Sequence, residues 1–147
     1  MREKKCIIVD IDGTLALRTM RGPYDTSRYN EDVICNPVRT ILDMVYFRNN
    51  EHYDSDITIL LVSWRSEEFR EVTVKRLEDK GVPYHKLYMR PTWDTRHDTE
   101  IKKEIYENHI KDEYIVMFAF DDRVRIVDQR RELGIYTFDV NQTRSVF

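Results

Sequence analysis

Apolar residues along this chain come in short bursts, and the bursts alternate with stretches of helical spacing. Lys4 to Val9 carries Cys6-Ile7-Ile8-Val9, a continuous run that predicts a strand buried on both faces. Ile57 to Val62 and Tyr114 to Phe120 read the same way, Tyr84 to Met89 more weakly, and Ile135 to Phe138 predicts a last strand. Between them, Val38, Ile41, Leu42 and Val45 recur at helical spacing behind Asn36 as N-cap and Pro37 at the first helical position. Ser66 is expected to cap a second helix, with Glu67 and Glu68 at its positive end, Phe69, Val72 and Leu77 inward, and Gly81 as its stop. Asp98 is expected to cap a third, carrying Ile101 and Ile105, and Asp122 to start a fourth that Gly134 ends. Residues 13–35 are polar and irregular, with a turn signal at Gly22-Pro23. A connection of about 20 residues is unusually long and tends to be functional.

Strands alternating with helices predict an α/β fold: a central parallel sheet with helices on both faces. No repeat, low-complexity tract or linker-like boundary interrupts the pattern, so residues 1–147 predict a single domain. Ligands of open α/β sheets bind beyond the carboxyl ends of the strands. Asp10, Ser63 and Asp121-Asp122 all fall at such predicted ends, so residues far apart in sequence are expected to meet in one crevice.

Composition narrows the choice. A formal net charge of −3 supplies no global field for nucleic acid, so a polyanionic substrate would need a local cluster of Arg and Lys. Two cysteines, Cys6 and Cys35, make neither a disulfide framework nor a zinc site. A buried free thiol at Cys6 and a reducing cytoplasm, that of the host if the chain is phage-encoded, are the expectation. No secretory leader is expected, and no apolar run in the sequence approaches membrane length.

The chemistry starts at Asp10-Ile11-Asp12-Gly13-Thr14, directly after the first strand. Two carboxylates two residues apart at a strand end point the same general way. Asp10, Asp12, Asp121 and Asp122 are expected to hold Mg²⁺, a hard cation that takes carboxylate oxygens and neutralises a phosphate ester. Asp10 can serve as nucleophile and Asp12 as general acid and base. Lys102 and Ser63 are suited to the non-bridging oxygens, one by charge and one by its hydroxyl. Singly, each has a plainer reading: a solvated turn, a helix cap, a turn serine, a surface lysine. Their combination, in this order, carries the inference. Arg18, Arg28, Arg90, Arg96, Arg123 and Arg125 are candidates for a basic rim or ordinary surface charge. Tyr24 and Trp93 are candidates to stack on a base or simply to pack a loop.

In that order, Asp10-x-Asp12-Gly13-Thr14-Leu15, Ser63, Lys102 and Asp121-Asp122 resemble the haloacid dehalogenase superfamily of phosphotransferases. The resemblance implies a Rossmann-like sheet of about five strands, with no large cap domain. It also implies that Asp10 is the nucleophile, Asp12 the acid–base, and Thr14, Ser63 and Lys102 the phosphate-binding set. A closer likeness is to the 3′-phosphatase domains of polynucleotide kinase–phosphatases, the bacteriophage form in particular. It rests on Arg21-Gly22-Pro23-Tyr24-Asp25, Val62-Ser63-Trp64-Arg65 and Asp94-Thr95-Arg96-His97-Asp98. By it, Arg21 and Arg65 would contact the substrate phosphate and Asp98 would orient Lys102. Trp64 departs from the glycine usual in that family and offers an indole that can stack on a base. No Gly-x-x-x-x-Gly-Lys-Ser/Thr occurs, so a kinase activity is expected only from a separate polypeptide.

The expected function is a Mg²⁺-dependent polynucleotide 3′-phosphatase working through an aspartyl-phosphate on DNA or RNA ends. Its rivals are a phosphatase for nucleotides or other small monoesters, and a non-catalytic nucleic-acid-binding partner of a kinase. No membrane partner is expected, and assembly into a homo-oligomer is left open.

Overall fold

A computed structural model describes residues 4–18, 22, 24–49 and 56–143. Its elements are β1 (Lys5–Val9), β2 (Ala16–Leu17), a 3₁₀ segment (Thr26–Glu31), β3 (Val33–Ile34), α1 (Asn36–Asn49) and β4 (Ile57–Ser66). There follow α2 (Arg70–Asp79), β5 (Lys86–Arg90), α3 (Asp98–Ile105), β6 (Ile115–Asp121), α4 (Val124–Glu132) and β7 (Thr137–Asp139). Five strands form one parallel sheet in the order β5-β4-β1-β6-β7. The chain winds outward from β1 through β4 to β5, then crosses back to β6 and β7. Between β1 and β6 the winding reverses, and the crevice at such a switch point is where open sheets bind ligands.

Side chains of β1 alternate between two cores. Ile7 and Val9 join Val38, Leu42 and Val45 of α1 and Leu77 of α2. Cys6 and Ile8 join Ile101 and Ile105 of α3. Burial on both faces is why β1 is continuously apolar rather than alternating. Burial pushes the Cys6 thiol up to about 12, so this cysteine is an inert packing group, as expected.

Several elements differ from the expectation, each for a physical reason. The irregular stretch 13–35 contains a two-residue antiparallel pairing, Ala16 with Ile34 and Leu17 with Val33. Strands that short leave no periodic signal. β4 runs on through Trp64, Arg65 and Ser66, because Ser66 still pairs with Arg90 of β5. Ser63 therefore lies inside the strand and not at its end. Ser66 has extended cap geometry without a side-chain cap bond, and a 3₁₀ turn, Glu67–Phe69, precedes α2. That helix buries Thr73 and Leu77, with Val72 only half-buried. The N-cap of α3 is His97, with Asp98 the first helical residue, and a π-turn at Tyr106–Ile110 continues the helix. Arg123 caps α4, leaving Asp122 outside it. No helix among the described residues is long and apolar enough to cross a membrane.

Candidate active site

The end of β1 is pinned to β6 by the Asp10 N–H donating to the Phe120 carbonyl at 3.2 Å. The chain then turns back on itself, with the amides of Thr14, Leu15 and Ala16 all donating to the Ile11 carbonyl at 3.2, 2.9 and 2.8 Å. Gly13 makes that turn at φ +83°, and a Cβ there would lie 2.0 Å from Asp122 Oδ2. Glycine is thus required twice over, for the backbone conformation and for the close approach of the second acidic pair.

Around that turn the two ends of the sequence meet. Lys102 Nζ, reaching from α3, donates to Asp10 Oδ1 at 2.7 Å and to Asp121 Oδ2 at 2.8 Å. Thr14 Oγ1 lies 3.1 Å from Asp10 Oδ2 and 3.4 Å from Asp122 Oδ1. Asp10, Asp121, Asp122 and Lys102 are all buried. Burial, then the Asp121 charge, raises the Asp10 pKa well above the carboxylate range, and burial likewise raises that of Asp122. Burial pulls the Lys102 pKa down, but Asp10 and Asp121 outweigh it and the ammonium is held firmly charged.

Oxygens of Asp10, Asp121 and Asp122 lie within 4.8 Å of one another. Three converging hard oxygen donors, whose like charges a single ammonium offsets only in part, suit a divalent cation of the Mg²⁺ class. Asp12 stands apart from this group. Its carboxylate is gripped by Arg65, with Nε at 3.2 and 3.0 Å and Nη2 at 2.8 Å. Asp12 is expected among the metal residues; in this structure its carboxylate pairs with Arg65, while those of Asp10, Asp121 and Asp122 converge.

Arg65 is itself caged. Nη2 also donates to Asp32 Oδ2 at 2.8 Å and Nη1 to Thr73 Oγ1 at 3.1 Å, while Tyr29 lies under the guanidinium at 3.8 Å. Burial works against its charge, and Asp12 and Asp32 more than restore it. This arginine, which the resemblance assigned to the phosphate, presents Asp12 to the cleft. Ser63 is fully buried, and its Oγ accepts the Arg65 N–H at 3.0 Å. Trp64 and Arg65, next along the strand, line the cleft. Asp98 makes no hydrogen bond to Lys102. Its carboxylate accepts from Arg123 Nη1 at 2.7 Å and lies 3.1 Å from His97 Nδ1. Despite burial, Arg123 keeps its pKa below the usual value. Arg21 falls outside the described residues.

A cleft of about 110 Å³ opens over these groups, lined among others by Asp10, Asp12, Lys102, Arg65, Arg90 and Arg123. Arg90 is fixed there by stacking on Trp64 at 4.2 Å and by donating to the carbonyls of Trp64 (3.0 Å) and Asp94 (2.7 Å). Sequence reasoning missed the Arg65 cage of Asp32, Thr73 and Tyr29. Asp32 sits in the irregular stretch, where an aspartate carries no signal of its own.

The model of the polynucleotide kinase PNKP phosphatase domain, of haloacid dehalogenase type, matches residues 4–144. A protein of Autographa californica nuclear polyhedrosis virus, described as a bifunctional polynucleotide kinase/RNA ligase, is 32% identical over 135 residues, covering 90% of this chain and 19% of that protein. A chain in the solved structure of a Pnkp1/Rnl/Hen1 complex superposes with a TM-score of 0.85 at 37% identity, covering 94% of this chain and 46% of that one. A second, from the Pnkp1/Rnl/Hen1 RNA repair complex, gives 0.84 at 37% identity, covering 94% and 42%. This chain thus spans less than half the length of the relatives it matches. With that extent of match and the acidic centre at the switch point of a five-stranded parallel sheet, the chain belongs to the polynucleotide kinase phosphatase-domain family of the haloacid dehalogenase superfamily.

Proposed function

We propose that this domain, taking residues 1–147 as one catalytic unit, removes the 3′-phosphate from nucleic-acid ends through an aspartyl-phosphate. The observation that carries the reading is the Asp10–Lys102–Asp121 contact beside the Arg65–Asp12 clamp, which gives the two motif aspartates different jobs. Asp10, Asp121 and Asp122 would hold Mg²⁺, which neutralises phosphate charge and orients the group when bound.

Lys102 and Thr14 bond the two oxygens of Asp10 and fix the carboxylate's rotation. Asp10 is thereby aimed as an in-line nucleophile on phosphorus. Asp12, held by Arg65, gives its proton to the departing 3′-oxygen as the P–O bond breaks. In the second half Asp12 takes a proton from water, whose oxygen attacks phosphorus and releases Asp10 and inorganic phosphate. Lys102 and Arg123 supply positive charge for the phosphoryl oxygens, together with Arg21 if the likeness in that segment extends to its role. Relatives named for kinase, ligase and RNA repair activities support a setting in which another domain or chain phosphorylates and seals the ends this one prepares.

The deciding assay measures phosphate release from matched DNA and RNA oligonucleotides bearing a 3′-phosphate, with and without Mg²⁺, against mononucleotides. Asp10→Asn is expected to abolish turnover with Mg²⁺ present. Near-native turnover by that variant would remove the covalent mechanism, and preference for mononucleotides would move the substrate to small monoesters.

A further inference from the structure

Next to the acidic cleft lies a second, larger cavity of about 330 Å³ between the end of β5 and α3. The two share a hydrogen-bonded wall. Trp64 and Arg90 line the cleft, and they donate to the carbonyls of Arg96 (2.9 Å) and Asp94 (2.7 Å), which line the cavity. Met89, Ile101 and Ile105 give the cavity a buried apolar floor. Tyr88, stacked on His109 with centroids 5.2 Å apart, forms one side. Trp93 stands at the rim with 82% of its surface exposed, an indole with no ring or cation stacked on it among the described residues.

Charge decides what fits. Arg96 is bound by Asp94 at 2.7 Å and by Glu104, and Arg70 by Glu67 at 2.7 Å through two nitrogens. A phosphate entering here would find its cations already neutralised and would meet the carboxylates of Asp94 and Glu104. A flat, uncharged group with polar edges would instead stack on the indole and meet the hydrogen-bonding groups of Asn108 and Glu104. Resting on the proposed function, which puts the terminal phosphate in the adjoining cleft, we infer that this cavity receives a nucleobase from the 3′ end of the same strand, stacked on Trp93. The substrate is therefore selected by its last nucleosides as well as by its phosphate, and a bare phosphate monoester binds less tightly.

Two measurements test this. A 3′-hydroxyl tetranucleotide, which is the reaction product, is titrated into the protein while indole fluorescence is followed. Quenching is expected, and it should vanish with a tetranucleotide abasic at its last two positions and in Trp93→Phe. In kinetics, Trp93→Ala is expected to raise KM for a 3′-phosphorylated oligonucleotide about tenfold, the scale of one lost base–aromatic stack, with kcat changed far less. The abasic substrate should show that same raised KM with the unaltered protein. Equal KM for base-bearing and abasic substrates, or equal quenching by both products, overturns the inference. Hydrolysis of an aryl phosphate by the unaltered protein keeps the two readings separable. If it is absent the phosphatase reading fails, while the product titration still judges the cavity.

Discussion

Individual side chains in this domain have sharply divided duties, and Gly13 shows how little room there is between them. A methyl group there collides with the Asp122 carboxylate and meets a positive φ. Gly13→Ala is expected to cost about 2 kcal/mol or more in stability and to lower kcat/KM by about a hundredfold, because the two halves of the acidic centre are forced apart. Urea unfolding and steady-state kinetics on one preparation check both. The Arg65 cage makes a second residue-level prediction. Arg65→Ala would leave Asp32, with 1% of its surface exposed, as a buried carboxylate without its guanidinium. A loss of about 3 kcal/mol is expected, and Arg65→Lys should recover only part of it, since one ammonium cannot reach Asp12, Asp32 and Thr73 together. An unchanged urea midpoint in Arg65→Ala would show the cage to be dispensable for the fold.

At the level of elements, two joints can be probed, the second of them coupled by charge to the acidic centre. β5 enters beside β4 through a reciprocal pair: the Ile59 N–H donates to His85 Nδ1 at 2.8 Å and the His85 N–H donates to the Ile59 carbonyl at 3.0 Å. Nδ1 must therefore carry its lone pair in the fold, and partial burial lowers the His85 pKa accordingly. A group with a lowered native pKa binds fewer protons folded than unfolded. Its stabilising contribution is present above the ordinary histidine value and is lost as pH falls through the lower native one. The melting temperature should drop on moving from pH 7 to pH 5, and His85→Gln should flatten that part of the dependence. A profile identical in the two proteins would remove His85 as its cause. The other joint is α4, whose Arg130 is almost wholly buried with Nε and Nη1 lacking partners. Burial depresses its pKa, outweighing the nearby charges of Asp121 and Asp10 that favour the guanidinium. Arg130→Met, similar in length and apolar, is expected to leave the free energy of urea unfolding unchanged or raise it, by up to about 2 kcal/mol. A clear fall would mean that the guanidinium has a partner in solution.

For the molecule as a whole, folding and cation binding should be linked, because the acidic centre joins the end of β1 to the end of β6. A cation that binds only the assembled cluster stabilises it by about 2.7 kcal/mol at a hundredfold excess over Kd. Mg²⁺ should raise the melting temperature, EDTA should reverse the rise, and Asp121→Asn should abolish it. Much of this molecule was legible before any fold was known. The unbroken apolar run of β1 and the helical spacing of α1 determined a parallel sheet with helices on both faces, because burial on two sides leaves no other pattern; the equally apolar run of β6 is buried only over Ala119, Phe120 and Asp121, with Ile115 and Met117 exposed. Asp10, Lys102, Asp121 and Asp122 were visible for a related reason: a polar residue directly after a buried strand, or on a helix crossing back over the sheet, is placed by the strand order itself. What the sequence could not decide is which charge each carboxylate faces. Asp12 stands two residues from Asp10 and points the same general way, yet its carboxylate pairs with Arg65 while that of Asp10 pairs with Lys102. The resemblance paired Asp98 with Lys102, yet its hydrogen bond across the fold comes from Arg123. Asp32 looked like any loop aspartate until the 3₁₀ segment and β3 carried it under Arg65. Ion pairs form across the fold between groups tens of residues apart, and no local period encodes them. Chain order determined where the acids would gather, and only tertiary packing decided which of them would pair with arginine and which would converge around lysine.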